Sequence, residues 1–239
     1  MALPKLNIPQ YKVELPSTGE QLTMRPFLVK EEKVLLIALE SNDAGQIAEA
    51  VRNIIMGCYG FNDNDMDKLT VYDVEYLFLQ LRGKSVGENM KLRLNCNDLE
   101  CDGKTDYSIN IDDIEIINKE IDRTIMLDAK NGVGVQMKFP SLNTIKSLDP
   151  EKLNNVDVIM EVIISCIESI FDEDNVYDAQ KEGKEEVKSF LESLNSEQFL
   201  KLQKFLENAP AVYYKGNYNC SKCGRDNTIE LRGLNSFFT

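Results

Sequence analysis

The sequence predicts an α+β fold, and three observations carry that reading. Apolar residues recur at helical spacing over residues 30–41, 47–55 and 74–81, and again over 156–167 and 187–206. Alternation with period two replaces that spacing over residues 90–139 and 211–239. Four of the six cysteines stand as two close pairs, one pair in each alternating stretch. At 239 residues and 43% hydrophobic content, the chain can build the core of one or two domains and is too apolar to stay disordered.

The elements follow in order. Tyr11-Lys12-Val13-Glu14-Leu15 alternates as a strand does, Pro16 and Gly19 turn the chain, and residues 21–25 alternate again, which predicts a hairpin. Residues 30–41 predict a helix with Val34, Leu35, Leu36, Ile37 and Leu39 apolar on nearly all sides, so its second half is expected to be largely buried. Asn42 or Asp43 caps a second helix that carries Ile47, Val51, Ile54 and Ile55 on one face, with Gly57 near its end. A polar loop is expected at 62–67. Thr70 or Asp73 then opens a third helix through Arg82, with Val74, Leu77, Phe78 and Leu81 on one stripe and Gly83 as its stop.

Strands are expected at 91–94 and 107–111, and at 123–127 and 133–139 around the turn Asn131-Gly132. Helix returns at Pro150 and runs through Val156, Ile159, Met160, Ile163, Ile164 and Ile167, a stripe that reads as core. Another helix carries Val187, Phe190, Leu191 and Leu194. Asn195 with Gln198 forms a capping box, and Leu194 with Phe199 a hydrophobic staple, opening a last helix through Leu202, Phe205 and Leu206. The tail from 211 to 239 is β-like. The grouping expected is a hairpin with a helical unit over 1–89, a β region over 90–140, a helical segment over 141–210 and a C-terminal hairpin over 211–239. No internal repeat or low-complexity tract interrupts it.

Composition removes many functions. Lys and Arg number 27 against 40 Asp and Glu, a net charge of −13, and there is no His or Trp. Neutralising phosphates needs a basic surplus, so direct nucleic-acid binding is not expected. Without His there is no Ser-His-Asp triad, no Cys-His pair and no His-ligated metal. The charge is local: residues 98–122 hold nine acids and two bases, and residues 168–186 hold eight acids and two bases. Both runs read first as solvated faces and second as docking surfaces for a basic partner. The N-terminal residues contain no apolar signal-type segment, and no apolar run reaches the length of about 20 residues that a membrane span needs. A cytosolic protein is expected.

The cysteines supply the one constellation with chemistry. Cys58 and Cys166 lie inside helical apolar patterns and read as core residues. Cys220-Ser221-Lys222-Cys223-Gly224 is a C-x-x-C-G knuckle between strand-like runs, where Gly224 suits the positive φ after the second ligand. Cys96 and Cys101 form a second knuckle with a four-residue spacer and Gly103 close behind. Two such hairpins facing each other make a zinc ribbon, which would close the β region with Cys96, Cys101, Cys220 and Cys223 and join 90–140 to 211–239 as one unit. With every position filled by protein, the Zn²⁺ would be structural. The competing reading is free or redox-active thiols, but a redox C-x-x-C pair opens a helix, and this one lies between strands. The acids of the first knuckle face four bases and two acids over 213–232, so the two halves are expected to attract each other.

Other motifs fail on inspection. Asp63-Asn64-Asp65-Met66-Asp67 begins like a calcium loop, but Lys68 stands where Gly is needed and Val74 where Glu is needed. No phosphate-binding glycine loop or nucleophile elbow occurs, and Gly132-Val133-Gly134 reads as part of a hairpin.

Three stretches resemble a known family. They are Met24-Arg25-Pro26-Phe27-Leu28-Val29-Lys30-Glu31-Glu32-Lys33 running into Leu35-Leu36-Ile37-Ala38-Leu39-Glu40-Ser41; Tyr72 to Arg82 followed by Lys84-Ser85-Val86-Gly87; and the tail from Cys220 through Thr228-Ile229-Glu230-Leu231-Arg232-Gly233-Leu234 to Phe237-Phe238. Together they are similar to baseplate proteins of T-even-type contractile-tailed bacteriophages, in particular the baseplate hub assembly protein family. The resemblance implies a non-enzymatic protein. It would assemble the baseplate hub or form part of the baseplate, in the host cytoplasm during assembly or in the virion tail. Its partners would be other baseplate and hub proteins, with chaperone-like action and oligomerisation left open. The alternative is a zinc-ribbon regulator that binds a host polymerase or nucleic acid; a metalloenzyme is weaker still, because four thiolates leave zinc closed.

Overall fold

In a computed structural model, which describes residues 6–146 and 155–237, short antiparallel sheets alternate with helices. The chain runs β1 (Tyr11–Glu14), β2 (Gln21–Met24), α1 (Val29–Ser41), α2 (Ala44–Tyr59), α3 (Asp63–Lys68) and α4 (Val71–Val86). There follow β3 (Asn89–Asn95), β4 (Lys104–Asn110), β5 (Glu115–Ile117), β6 (Thr124–Asp128), β7 (Val133–Met137) and α5 (Leu142–Lys146). The remainder is α6 (Asn155–Cys166), β8 (Ile167–Phe171), β9 (Val176–Asp178), α7 (Ala179–Glu182), α8 (Lys184–Glu192), α9 (Ser196–Glu207), β10 (Ala211–Asn219) and β11 (Asp226–Arg232). This is the α+β class that the periodicities predict. The expected helix start at Pro150 lies outside the described residues, as does Phe238.

Two units divide the chain. The first comprises Met1–Met66, Tyr72–Ile117 and Ala211–Thr239; the second comprises Asp67–Val71 and Asn118–Pro210. In the first unit β1 pairs with β2, β3 with β4, and β10 lies between β11 and β5 in a three-stranded sheet. Its core is built from the helical stripes, with Ile54, Ile55, Leu77, Phe78 and Leu81 buried, and from inward strand positions such as Met90, Ile109 and Val212. α2 begins as the capping rule requires, the Asp43 carboxylate accepting the Gln46 N–H at 3.0 Å. Gly60, at φ +76°, ends it in the left-handed conformation that glycine adopts without strain.

In the second unit β6, β7, β8 and β9 form a four-stranded antiparallel sheet. Its core joins Leu127, Val135 and Met137 of the sheet to Ile163 and Ile164 of α6, Leu191 of α8, and Leu202 and Phe205 of α9. The Asn195–Gln198 capping box forms, each side chain accepting the other's backbone N–H at 3.0 Å. Cys58 and Cys166 are buried core residues as expected, and burial pushes their thiols up to about 11 and about 12.

Several expectations are corrected. α1 packs against α2 by one face, burying Leu35 and Ala38, while Leu36 and Ile37 remain 53% and 55% exposed. An apolar run that surrounds a helix is buried only if neighbours surround it too. The segment at 62–67 is not a loop: Asn62 and Asp65 exchange hydrogen bonds at 3.0 and 3.1 Å, which starts α3, and Met66 seats it in the core. Gly83 does not stop α4. It is buried where an added Cβ would lie 3.2 Å from Ile111 Cδ1, so it admits Ile111 against the helix, which continues to Val86 before Gly87 at φ +130°. The stretch 90–140, expected as one β region, supplies strands to three separate sheets. Ile167 opens β8 and does not extend the isoleucine helix.

One half-buried carboxylate fastens the first unit. From α4, Glu75 accepts the backbone N–H of Leu234 at 3.0 Å and of Val212 at 3.4 Å, fastening both ends of the C-terminal hairpin. Burial pushes its carboxyl above the ordinary range, against the pull of those two donors. Glu75→Ala leaves two donors without an acceptor and is expected to cost about 1–3 kcal/mol in denaturant unfolding. A raised folded-state pKa stabilises the fold at acid pH and loses that contribution as pH rises through it. The unmutated protein should therefore gain on Glu75→Gln as pH falls through the carboxylate range.

Candidate metal centre

Two hairpin tips build the site, both within the first unit. β3 and β4 are in register from Asn89↔Asn110 to Asn95↔Lys104, and the connection between them carries Cys96 and Cys101. β10 and β11 are in register to Asn219↔Asp226, and their connection carries Cys220 and Cys223. Each tip is closed by its own backbone. The Cys96 N–H donates to Gly103 O at 2.9 Å and the Cys101 N–H to Asp98 O at 3.0 Å. Across the second tip, the Cys220 N–H donates to Arg225 O and the Gly224 N–H to Cys220 O, both at 2.9 Å. Gly224 sits at φ +73°, the conformation its position after the second cysteine predicted.

The two tips bring all four sulfurs within 4.8 Å of one another. Cys96 Sγ lies 3.7 Å from Cys223 Sγ, and Cys101 Sγ lies 3.8 Å from Cys220 Sγ. Disulfides need about 2.05 Å, so these pairs are not bonded. A tetrahedron of zinc–thiolate bonds near 2.3 Å places its sulfurs about 3.8 Å apart, which these two edges match. Among the described residues this is the one cluster of metal-binding character, and the acids of 63–67 do not form another.

Backbone donors tune the sulfurs. The N–H groups of Cys223 and Lys222 point at Cys220 and lower its thiol to about 6. At Cys101 the Gly103 N–H pulls the pKa down, but desolvation and the neighbouring thiols outweigh it and push the pKa up to about 12. Four thiols in this space cannot all ionise unless a cation joins them.

Polar contacts hold the tips together. The Asn97 N–H donates to Asn227 Oδ1 at 2.9 Å, and Asn97 Nδ2 donates to Thr228 O at 3.1 Å. From the other side, the Ser221 N–H donates to Thr105 Oγ1 at 3.0 Å and the Ser221 hydroxyl to Lys104 O at 2.8 Å. Arg225 pairs with Asp98 at 2.8 Å, and Lys222 pairs with Asp102. These ion pairs realise the attraction expected from the opposite charges of the two knuckles. Asn227, buried at the junction, has no signature in the sequence; its role exists only once the hairpins meet.

A family model for the T4 bacteriophage base plate protein matches residues 8–239. The chain belongs to that family. A curated relative, the baseplate hub assembly protein gp26 of Enterobacteria phage T4, is 22% identical over 231 residues, spanning 96% of this chain and 98% of that protein. No solved structure matches. The similarity read from three stretches of sequence is thus borne out. Within this base plate protein those stretches carry connections of the first unit. Glu31 accepts Arg25 Nη2 at 2.9 Å and the Leu28 N–H at 2.8 Å, Glu75 of the second stretch holds Val212 and Leu234, and the third stretch contains the C-terminal knuckle.

Gly103 tests the meeting of the tips. An added Cβ there would lie 2.6 Å from Cys220 Sγ and 2.8 Å from Lys222 Cβ. Gly103→Ala should force the knuckles apart and cost about 1–3 kcal/mol, read as a lowered melting temperature. Unchanged melting would show that the tips do not meet as described.

Proposed function

We propose that this chain is a non-enzymatic baseplate protein that works through protein–protein contacts, in assembly of the baseplate hub or as a baseplate component. We further propose that Cys96, Cys101, Cys220 and Cys223 hold one structural Zn²⁺. The observation that carries the baseplate reading is the family match over residues 8–239, and the relative named for hub assembly directs it to the hub. On this reading the partners are other baseplate and hub proteins, met in the host cytoplasm during assembly, and the virion tail is the end point. Among the described residues no helix is long and apolar enough to cross a membrane.

The metal reading rests on the donor set and its spacing. Thiolates select zinc or iron, and the sulfur edges of 3.7 and 3.8 Å fit a tetrahedral ion of this bond length. When bound, the ion neutralises thiolate charge and ties the hairpins. The chain's own part is to present four sulfurs, direct N–H groups at them and keep a fifth ligand out. A regulator that binds polymerase or nucleic acid is the weaker reading, given the family and a net charge of −13.

Elemental analysis of the purified protein should find zinc at one ion per chain, and Cys223→Ser should lose it together with several degrees of melting temperature. Protons compete for the thiolates, so zinc should be released as pH falls. Iron in place of zinc, or no metal, overturns the assignment. For the function, particles made in cells infected with a phage lacking this gene should be inspected by electron microscopy. Absent or defective hubs, restored by the gene in trans, are expected; normal baseplates would refute the hub role.

A further inference from the structure

The second unit carries a groove on the outer side of its core, with none of the residues of the metal centre in its lining. It has a volume of about 340 Å³ and lies between the sheet and α8, floored by Ile170, Phe171, Val187 and Phe190. Its wall is built in: an added Cβ at Gly134 would lie 2.4 Å from Phe171 Cζ, so the glycine is what lets the aromatic ring lie across β7. Tyr177 is 40% exposed beside it, and Val176 at the turn of the hairpin is 75% exposed. Apolar surface gathered in a concave groove, with exposed apolar residues beside it, is a place where a partner's apolar side chain can be buried.

The rim is acidic on the same side. Asp172, Glu182 and Glu186 border the groove within the segment of residues 168–186 that holds eight acids and two bases. Asp172 is fixed there, accepting the Asp174 N–H at 2.9 Å, the Asn175 N–H at 2.8 Å and the Tyr177 hydroxyl at 3.2 Å. Lys184, one of the two bases, turns to Glu161 at 2.5 Å. Neither Glu182 nor Glu186 forms an ion pair among the described residues. Small-molecule pockets aim polar groups inward at the ligand. Here the interior is apolar and the carboxylates stand at its edge, the arrangement of a protein interface with an apolar centre and a charged rim.

We propose that this groove docks a segment of a partner protein in which a large apolar side chain is flanked by Lys or Arg. The apolar residue fills the groove over Phe171 and Phe190, and the flanking cations meet Glu182, Glu186 and Asp172. Charge complementarity chooses this occupant: a second copy of so acidic a chain would bring like charge to the rim. The inference stands on the groove alone. Failure of the zinc or hub experiment would leave it in place, and its own failure would leave them in place.

The test uses the full chain and a fluorescein-labelled peptide with Phe-Leu between Lys-Arg pairs, followed by fluorescence anisotropy. Saturable binding is expected, weakening with added salt. Glu182→Lys combined with Glu186→Lys should weaken it roughly tenfold or more. Both positions are exposed, so the fold should survive, as circular dichroism will verify. Replacing Phe-Leu in the peptide by Ser-Gly should weaken binding comparably, which separates docking from simple attraction between charges. Three outcomes overturn the proposal: no binding, equal binding of the Ser-Gly peptide, and binding indifferent to the charge-reversed variant. Self-association that buries the groove, seen by sedimentation, would assign it to a second copy and likewise overturn it.

Discussion

The first unit depends on one non-local closure, in which the C-terminal hairpin returns to a hairpin made more than a hundred residues earlier. Cys101 and Cys220 are 119 positions apart, and Cys96 and Cys223 are 127 apart. Bringing such distant segments together costs chain entropy, and a covalent or metal link over a loop of roughly 100 residues offsets about 4–5 kcal/mol of it. The hairpins share few apolar residues at their tips, so hydrophobic burial cannot supply this alone. Hydrogen bonds through Asn97, Asn227 and Ser221 and two ion pairs join the tips, and the four sulfurs meet between them. Glu75 fixes the opposite end of the returning hairpin from within α4. The hairpin is therefore anchored at its tip and at its base by different chemistry.

That closure explains what was legible in the sequence. Cysteine spacing is local, so each knuckle could be read by itself, and the absence of His left sulfur as the donor to look for. Capping is local too, and the Asp43 and Asn195 caps stand as expected. Glu75 and Asn227 were not legible, because an acceptor acquires its role from donors 137 or 130 positions away. Periodicity misjudged α1 for a related reason: it reports which faces are apolar and says nothing of whether a neighbour exists to cover them. It also ran α6 into β8, since Ile167 continues a helical spacing and begins an alternating one. Only the pairing of Ile167 with Met137 decides between the two.

The net charge of −13 divides along structural lines. In the first acidic run, Asp98 and Asp102 form ion pairs across the two knuckles, so part of that charge is spent on holding the hairpins together. In the second run, Asp172 shapes the turn between β8 and β9, and Asp178 caps α7 through the N–H groups of Gln180 and Lys181. Glu182 and Glu186 do neither. A carboxylate that caps or pairs has a reason within the fold, while one that stands beside an apolar groove without such a partner leaves its field directed outward.

The chain path makes the two units compatible. Apart from the short segment Asp67–Val71, the first unit is left at Ile117 and re-entered at Ala211, and these two residues are paired directly in the antiparallel ladder between β5 and β10. Everything between them is an excursion whose ends are held at the spacing of neighbouring strands. Closing such an excursion costs little more when it is long than when it is short, since the entropy grows only with the logarithm of length. A second core with its own sheet can therefore be built between β5 and β10 without altering the register of either strand. The same pairing places the start of β10 so that Val212 meets Glu75, and from there the strand runs on to carry Cys220 to the first knuckle. The ladder that tolerates the insertion is thus also what aims the returning cysteines.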